Sequence, residues 1–223
     1  MKIAVFSAKG GVGKTPISTN IAFDRDYLIA TNDEYHGFNV VQRVLEDDRL
    51  LVIAPNEEFP AIPDEMDVVF DLGGTLSGSS APSIRSAIAQ SDVVLVPVSN
   101  ETKAIISAVA TINEVKAINK NIVVIATKLK RGSKETGAHP WSQSKEFLNI
   151  ADQISSMTDV EWPMFPLKLS AAFDAIFDQE KSLNELVAGG GADGFHYRMP
   201  REQFAAIYEH LKGYEKSWAK KIH

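Results

Sequence analysis

Residues 3–16 read IAVFSAKGGVGKTP: four apolar residues, a loop with three glycines and one lysine, then Lys-Thr-Pro. The segment from Ile17 to Phe23 can wind as a helix. Strand, glycine loop and helix, in that order, form a setting in which a chain holds phosphate. Gly13-Lys14-Thr15 ends the pattern G-x-x-x-x-G-K-[ST], and Ala8 stands where that pattern has its first glycine. The physical requirements survive the change. Gly10, Gly11 and Gly13, with Val12 among them, let successive backbone N–H groups curl around an anion at little steric cost. Lys14 is placed to reach the β- and γ-phosphates, and the Thr15 hydroxyl to ligate Mg²⁺. The loop predicts nucleotide binding.

Pro16 is a departure within that loop. The residue after Lys-Thr usually offers its N–H to the α-phosphate, and proline has none. Proline is comfortable in a first helical turn, so the loss falls on the ligand rather than the fold. One hydrogen bond to a charged group is worth ~1.5–3 kcal/mol at most.

The chain has 223 residues, 44% of them hydrophobic, enough for one substantial core and most simply one domain over 1–223. No apolar run approaches the ~20 residues that cross a bilayer, and the N-terminus lacks the order of a signal peptide. There is no cysteine, hence no disulfide framework and no thiolate for zinc or an iron–sulfur cluster. A cytoplasmic protein is expected. The net charge of −6 is unevenly placed: residues 1–101 hold seven basic and fifteen acidic side chains. Lys116, Lys120, Lys128, Lys130, Arg131 and Lys134 fall in a span without an acid, so a basic face is compatible with the acidic average.

Apolar runs alternate with helix-like segments. Strands are expected at 3–7, 27–31, 50–54, 67–71, 92–97, 121–127 and 164–168, several continuously apolar as befits strands buried on both faces. Helices are expected near 16–23, 38–47, 82–90, 101–118 and 143–156, with a C-terminal helix over about 200–221. The implied fold is α/β: a doubly wound, mostly parallel sheet with helices on both faces and ligands beyond the strands' carboxyl ends. LKRGSKETGAHPW (129–141) and VAGGGADGFHYRMP (187–200) read as loops.

K-G-G-V-G-K-T, residues 9–15, resembles the deviant Walker A motif of the ParA/MinD family of P-loop ATPases. DVVFDLGG (67–74) is similar to that family's Walker B and switch II, SDVVLVPVSNETKAI (91–105) to its next strand and helix start, and FPLKLSAAFDAI (165–176) to a late segment near the adenine pocket. The resemblance implies ATP with Mg²⁺, and a sandwich dimer in which Lys9 reaches phosphates held by the other subunit. Spacing alone leaves Lys9 free to act in cis or in trans. It further implies that Asp71 holds the Mg²⁺ shell and that the Gly74 N–H approaches the γ-phosphate. Lys128 and Arg131 lie where the adenine-side loop begins, and Pro166 lies at the adenine pocket. Asp33 matches the second aspartate of the family's D-x-D segment, which helps to position the attacking water. Thr31 replaces the first aspartate, and the Pro-Gln-Gly sequel is absent. Taken by itself, Asp33 also suits a helix N-cap or turn.

A slow ATPase that dimerises with ATP acts as a timer. The ParA-like reading adds nonspecific DNA, a ParB-like or centromere-binding adaptor that stimulates hydrolysis, and partition of a plasmid or chromosome. Alternatives are a MinD-like membrane-associated regulator, a positioning ATPase for another cargo, and a dethiobiotin synthetase-like ligase. The basic span reads either as solvated lysines with pocket residues or as a DNA contact. Phe204, Ile207, Tyr208, Leu211, Trp218 and Ile222 share one face of the C-terminal helix, with Lys212, Lys216 and Lys220 beside it. That spacing fits packing on the chain's own domain, a basic amphipathic membrane helix, or a partner contact.

Overall fold

The structure, a computed structural model, describes residues 1–33, 47–131 and 140–219. The seven apolar runs become seven strands: β1 (Lys2–Phe6), β2 (Leu28–Thr31), β3 (Leu50–Val52), β4 (Val68–Leu72), β5 (Val93–Ser99), β6 (Ile122–Leu129) and β7 (Met164–Lys168). They form one sheet in the order β3-β2-β4-β1-β5-β6-β7, every neighbouring pair parallel. Every residue of β1, β4 and β5 is buried, which explains why these strands carry continuous apolar runs rather than alternation, with Lys2, Asp71 and Ser99 the exceptions at or near their ends.

Helices cover both faces. They are α1 (Lys14–Arg25), α2 (Ala81–Gln90), α3 (Thr102–Val115), α4 (Lys145–Thr158), α5 (Ala172–Asp178), α6 (Leu183–Ala188) and α7 (Gly191–Ala219). Successive strand residues point to opposite faces, so β1 feeds two cores. Ala4 and Phe6 join Ile84, Ile88, Ile105, Ile112 and Ile150 of α2, α3 and α4. Ile3 and Val5 join Ile17, Ile21, Ile176, Leu183, Phe204, Ile207 and Leu211 of α1, α5, α6 and α7.

Two expectations change. The C-terminal helix begins at Gly191, not near 200, and carries Pro200 inside it. Glycines read as loop instead serve packing: Gly190 and Gly191 turn the chain at φ 73° and 78°, and a Cβ on Gly194 would stand 3.3 Å from the Val187 carbonyl oxygen. Gly190 and Gly191 thus supply a left-handed turn, and Gly194 the close approach of α6 and α7. The expected helix at 38–47 lies almost wholly outside the described residues, as do His36, Lys134, His139, Lys220, Ile222 and His223.

Candidate nucleotide site

The glycine loop runs from the carboxyl end of β1 into α1, at the middle of the sheet. Gly11 and Gly13 adopt φ 74° and 93°, left-handed values that a side chain disfavours. Gly13 caps α1, so Lys14 and Thr15 are the first two helical residues and Pro16 the third. The first turn has no intrahelical partner for its N–H groups, and Pro16 fits there without breaking a helical bond. It also subtracts one donor from the group that faces the cavity.

Side chains from neighbouring elements brace the loop. The Ala8 N–H donates to the Thr111 hydroxyl of α3 at 3.3 Å. The Thr127 hydroxyl of β6 lies 2.8 Å from the Val12 carbonyl, while the Val12 side chain is buried in the core. Beyond the loop opens a cavity of about 580 Å³. One wall is Gly10, Gly11, Gly13, Lys14, Thr15, Pro16 and Ile17, with Asp33 at its edge; the other is Thr127, Lys128, Leu167 to Ser170, Phe173 and Asp174.

Charge concentrates behind the first turn of α1. Asp71, the fourth residue of β4, is 2% exposed. Burial raises its pKa, an effect opposed by the hydroxyl of Thr15, the Lys14 ammonium and the hydroxyl of Ser18. The Ser18 oxygen lies 3.2 Å from Asp71 Oδ1. Lys14 turns its ammonium to the Lys9 carbonyl at 3.3 Å. Burial lowers the Lys14 pKa against the opposing pull of Asp71 and Asp33, with Lys9 lowering it further. A threonine hydroxyl beside a buried carboxylate is a hard-oxygen pair that suits Mg²⁺, whose remaining positions water and phosphate fill. Among the described residues there is no group of three or more His, Cys, Asp or Glu able to hold a metal without such help.

The segment after β2 approaches the segment after β4. The Thr31 hydroxyl donates to the Asp71 carbonyl at 2.8 Å and accepts the Asp33 N–H at 3.1 Å. Thr31 thus ties two strand ends where the resemblance had an aspartate. A Cβ on Gly73 would stand 3.4 Å from Asp33 Cβ, so the aspartate lies against this glycine. Gly74, at φ 94°, is backed by Ser80, whose Oγ would stand 2.2 Å from an added Cβ.

The remaining expected residues divide. Lys128 lines the cavity, held at φ 55° by the irregularity in β6 between Ala126 and Leu129. Pro166 does not line it; it pairs with Ala126 inside the sheet, and the next residues, Leu167, Lys168 and Leu169, form the wall. Arg131 lies over the Trp141 ring, 4.3 Å from its centroid. Lys9 stands outside the cavity, its ammonium 3.3 Å from the Gly10 carbonyl. Gly74 does not line the cavity either. Sequence reading missed Ser18, although its spacing of four from Lys14 puts both on one helical face. It also missed Phe173 and Asp174, which belong to the quoted segment 165–176.

No protein-family model and no curated protein matches the sequence. Solved structures do match. An ATP complex of an aspartate-to-alanine variant of McdA from Cyanothece aligns over 95% of this chain and 96% of its own, with TM-score 0.64 and 15% identity. The cell division ATPase MinD of Pyrococcus furiosus aligns over 92% and 99%, with TM-score 0.57 and 12% identity. A putative plasmid partition protein from Borrelia burgdorferi, bound to AMPPNP, aligns over 93% and 98%, with TM-score 0.51 and 12% identity. At such identities the likeness is one of architecture: the chain has the parallel-sheet P-loop fold of the McdA and MinD ATPases.

Proposed function

We propose that this protein is a ParA-like ATPase that dimerises around ATP, binds nonspecific DNA in that state, and drives partition of a plasmid or chromosome. The observation that carries the reading is the convergence of Lys14, Thr15, Asp33 and Asp71 at the open end of the sheet, with Lys9 on the outer side of the same loop. In this reading the loop N–H groups and Lys14 receive the phosphates, and Thr15 and Asp71 hold Mg²⁺. Mg²⁺, when bound, neutralises charge on the phosphate oxygens. Asp33 accepts a hydrogen bond from water and orients it. Lys9, partly exposed beside Gly10 and outside the cavity lining, is the cation proposed to complete a neighbour's site. The ATP- and AMPPNP-bound relatives support nucleotide as the ligand. A ParB-like or centromere-binding adaptor is the proposed stimulator of a slow hydrolysis.

The MinD-like membrane reading fares worse. Phe204, Ile207 and Leu211, which would line a membrane-facing stripe of α7, are at most 1% exposed within the chain's own core. The test is gel filtration of wild type and Lys9→Ala with ATP, repeated with duplex DNA at two salt concentrations, alongside phosphate release. Dimers that vanish with Lys9→Ala, and DNA association that weakens with salt, are the expected results. A dimer indifferent to Lys9 overturns its action in trans. Hydrolysis that requires a small-molecule acceptor points to the ligase class instead.

A further inference from the structure

Asn32 lies between Thr31 and Asp33, just beyond β2, and is 2% exposed. Its side-chain amide is fully engaged. Oδ1 accepts the Gly73 N–H at 2.7 Å, and Nδ2 donates to the Gly73 carbonyl at 3.0 Å and to the Ser83 hydroxyl at 2.7 Å. An asparagine side chain carries the same donor and acceptor as a peptide group. The parallel pairing of β2 with β4 ends at Thr31 and Asp71, and the Asn32 amide continues it by one step, on Gly73. Ser83, near the start of α2, is anchored in turn: its hydroxyl lies 2.8 Å from the Pro55 carbonyl and 2.9 Å from that of Ser80. Ser80 is the residue that backs Gly74.

We infer that Asn32 is a positioning residue for hydrolysis: it locks the Gly73–Gly74 turn to the strand end bearing Asp33, so that the turn and the water-orienting carboxylate at the cavity move as one body. The inference rests on the ATPase reading above and specifies how its water-orienting group is held. Gly73 is gripped from both sides, its peptide groups by Asn32 and its Cα face by Asp33. Without the amide, the turn and the carboxylate would each adjust separately. Displacements of that kind cost rate far more than ground-state affinity.

Asn32→Asp keeps the volume and the acceptor for the Gly73 N–H but loses both donated hydrogens; Asn32→Ala loses all three bonds. Single-turnover hydrolysis, ATP and ADP dissociation constants, and thermal unfolding are measured for each beside wild type. The expected result is a rate per folded molecule lower by on the order of tenfold or more, with the ADP constant within about twofold of wild type. Asn32→Asp buries a carboxylate against the Gly73 carbonyl, so Asn32→Ala, which adds no charge, keeps the readout available should Asn32→Asp unfold. An unchanged rate per folded molecule in either variant overturns the inference and leaves the ATPase reading standing. So does a loss of ATP and ADP affinity that fully accounts for the loss of rate. A wild type that turns over no ATP overturns the ATPase reading, and the inference with it.

Discussion

At the scale of single residues, Pro16 and Gly74 make opposite demands. Pro16 lines the cavity in the first turn of α1 and has no N–H to give. Pro16→Thr restores that donor, and the dissociation constant for ATP is expected to fall by roughly tenfold and at most about a hundredfold, the worth of one bond to a charged group. Calorimetric titration with Mg²⁺ and ATP checks it; an unchanged or weaker constant refutes it. Gly74 has no such latitude, since an alanine there meets Ser80 Oγ and a positive φ together. Gly74→Ala is expected to lower stability by about 1–3 kcal/mol, seen as a lower unfolding midpoint in denaturant. Lys14, Thr15 and Asp71 could be singled out in the sequence because a glycine loop and an apolar strand end mark their positions locally. Ser18 and Asn32 were not, because each takes its meaning from a group 53 or 41 residues away.

At the scale of elements, strands were easier to read than helices. Burial on both faces makes β1, β4 and β5 continuous apolar runs, and no helix of similar length produces that signal as clearly. The short helices α5 and α6 escaped notice, although Ser182 and Glu185 form a capping box that announces α6. The start of α7 was hidden by glycines that turn the chain and let two helices approach closely. Of the three readings its periodicity allowed, α7 takes packing on its own domain: it lies chiefly on α6 and β7 and also reaches α1. There the Tyr208 hydroxyl donates to Asp24 at 2.8 Å, beside Asn20. Tyr27, at the end of α1, is buried near Asp67, and burial first and that carboxylate second push its pKa up to about 12. Tyr208 is raised well above the ordinary value by burial and by Asp24. Raised phenol values favour the neutral form in the folded chain. Their stabilising contribution is therefore complete below pH ~10 and is lost as pH rises through the folded value. Unfolding midpoints measured from pH 9 to 12 are expected to fall, with a shallower fall in Tyr27→Phe.

At the scale of the whole molecule, the basic span of the sequence divides into two groups. Lys116 and Lys120 precede β6, whereas Lys128 lies near its end and Lys130 and Arg131 follow it, so the groups sit at opposite ends of that strand, roughly 25 Å apart. Lys128 is committed to the cavity wall. If the cavity edge is where two copies meet, the exposed pair Lys116 and Lys120 faces outward on each copy and is the better placed for a polyanion. Replacing both with alanine is expected to leave ATP affinity unchanged. It is expected to flatten the dependence of log affinity for DNA on log salt by roughly 0.9 for each lysine in contact. An unaltered slope assigns any DNA contact to the other group.

Thr111 and Thr127 grip the glycine loop at Ala8 and Val12 through hydrogen bonds supplied by the fold itself. Capture of a triphosphate therefore demands little reordering of the chain, and encounter rather than rearrangement is expected to set its pace. In rapid mixing with a fluorescent analogue, the observed rate is expected to climb linearly with concentration and show no plateau.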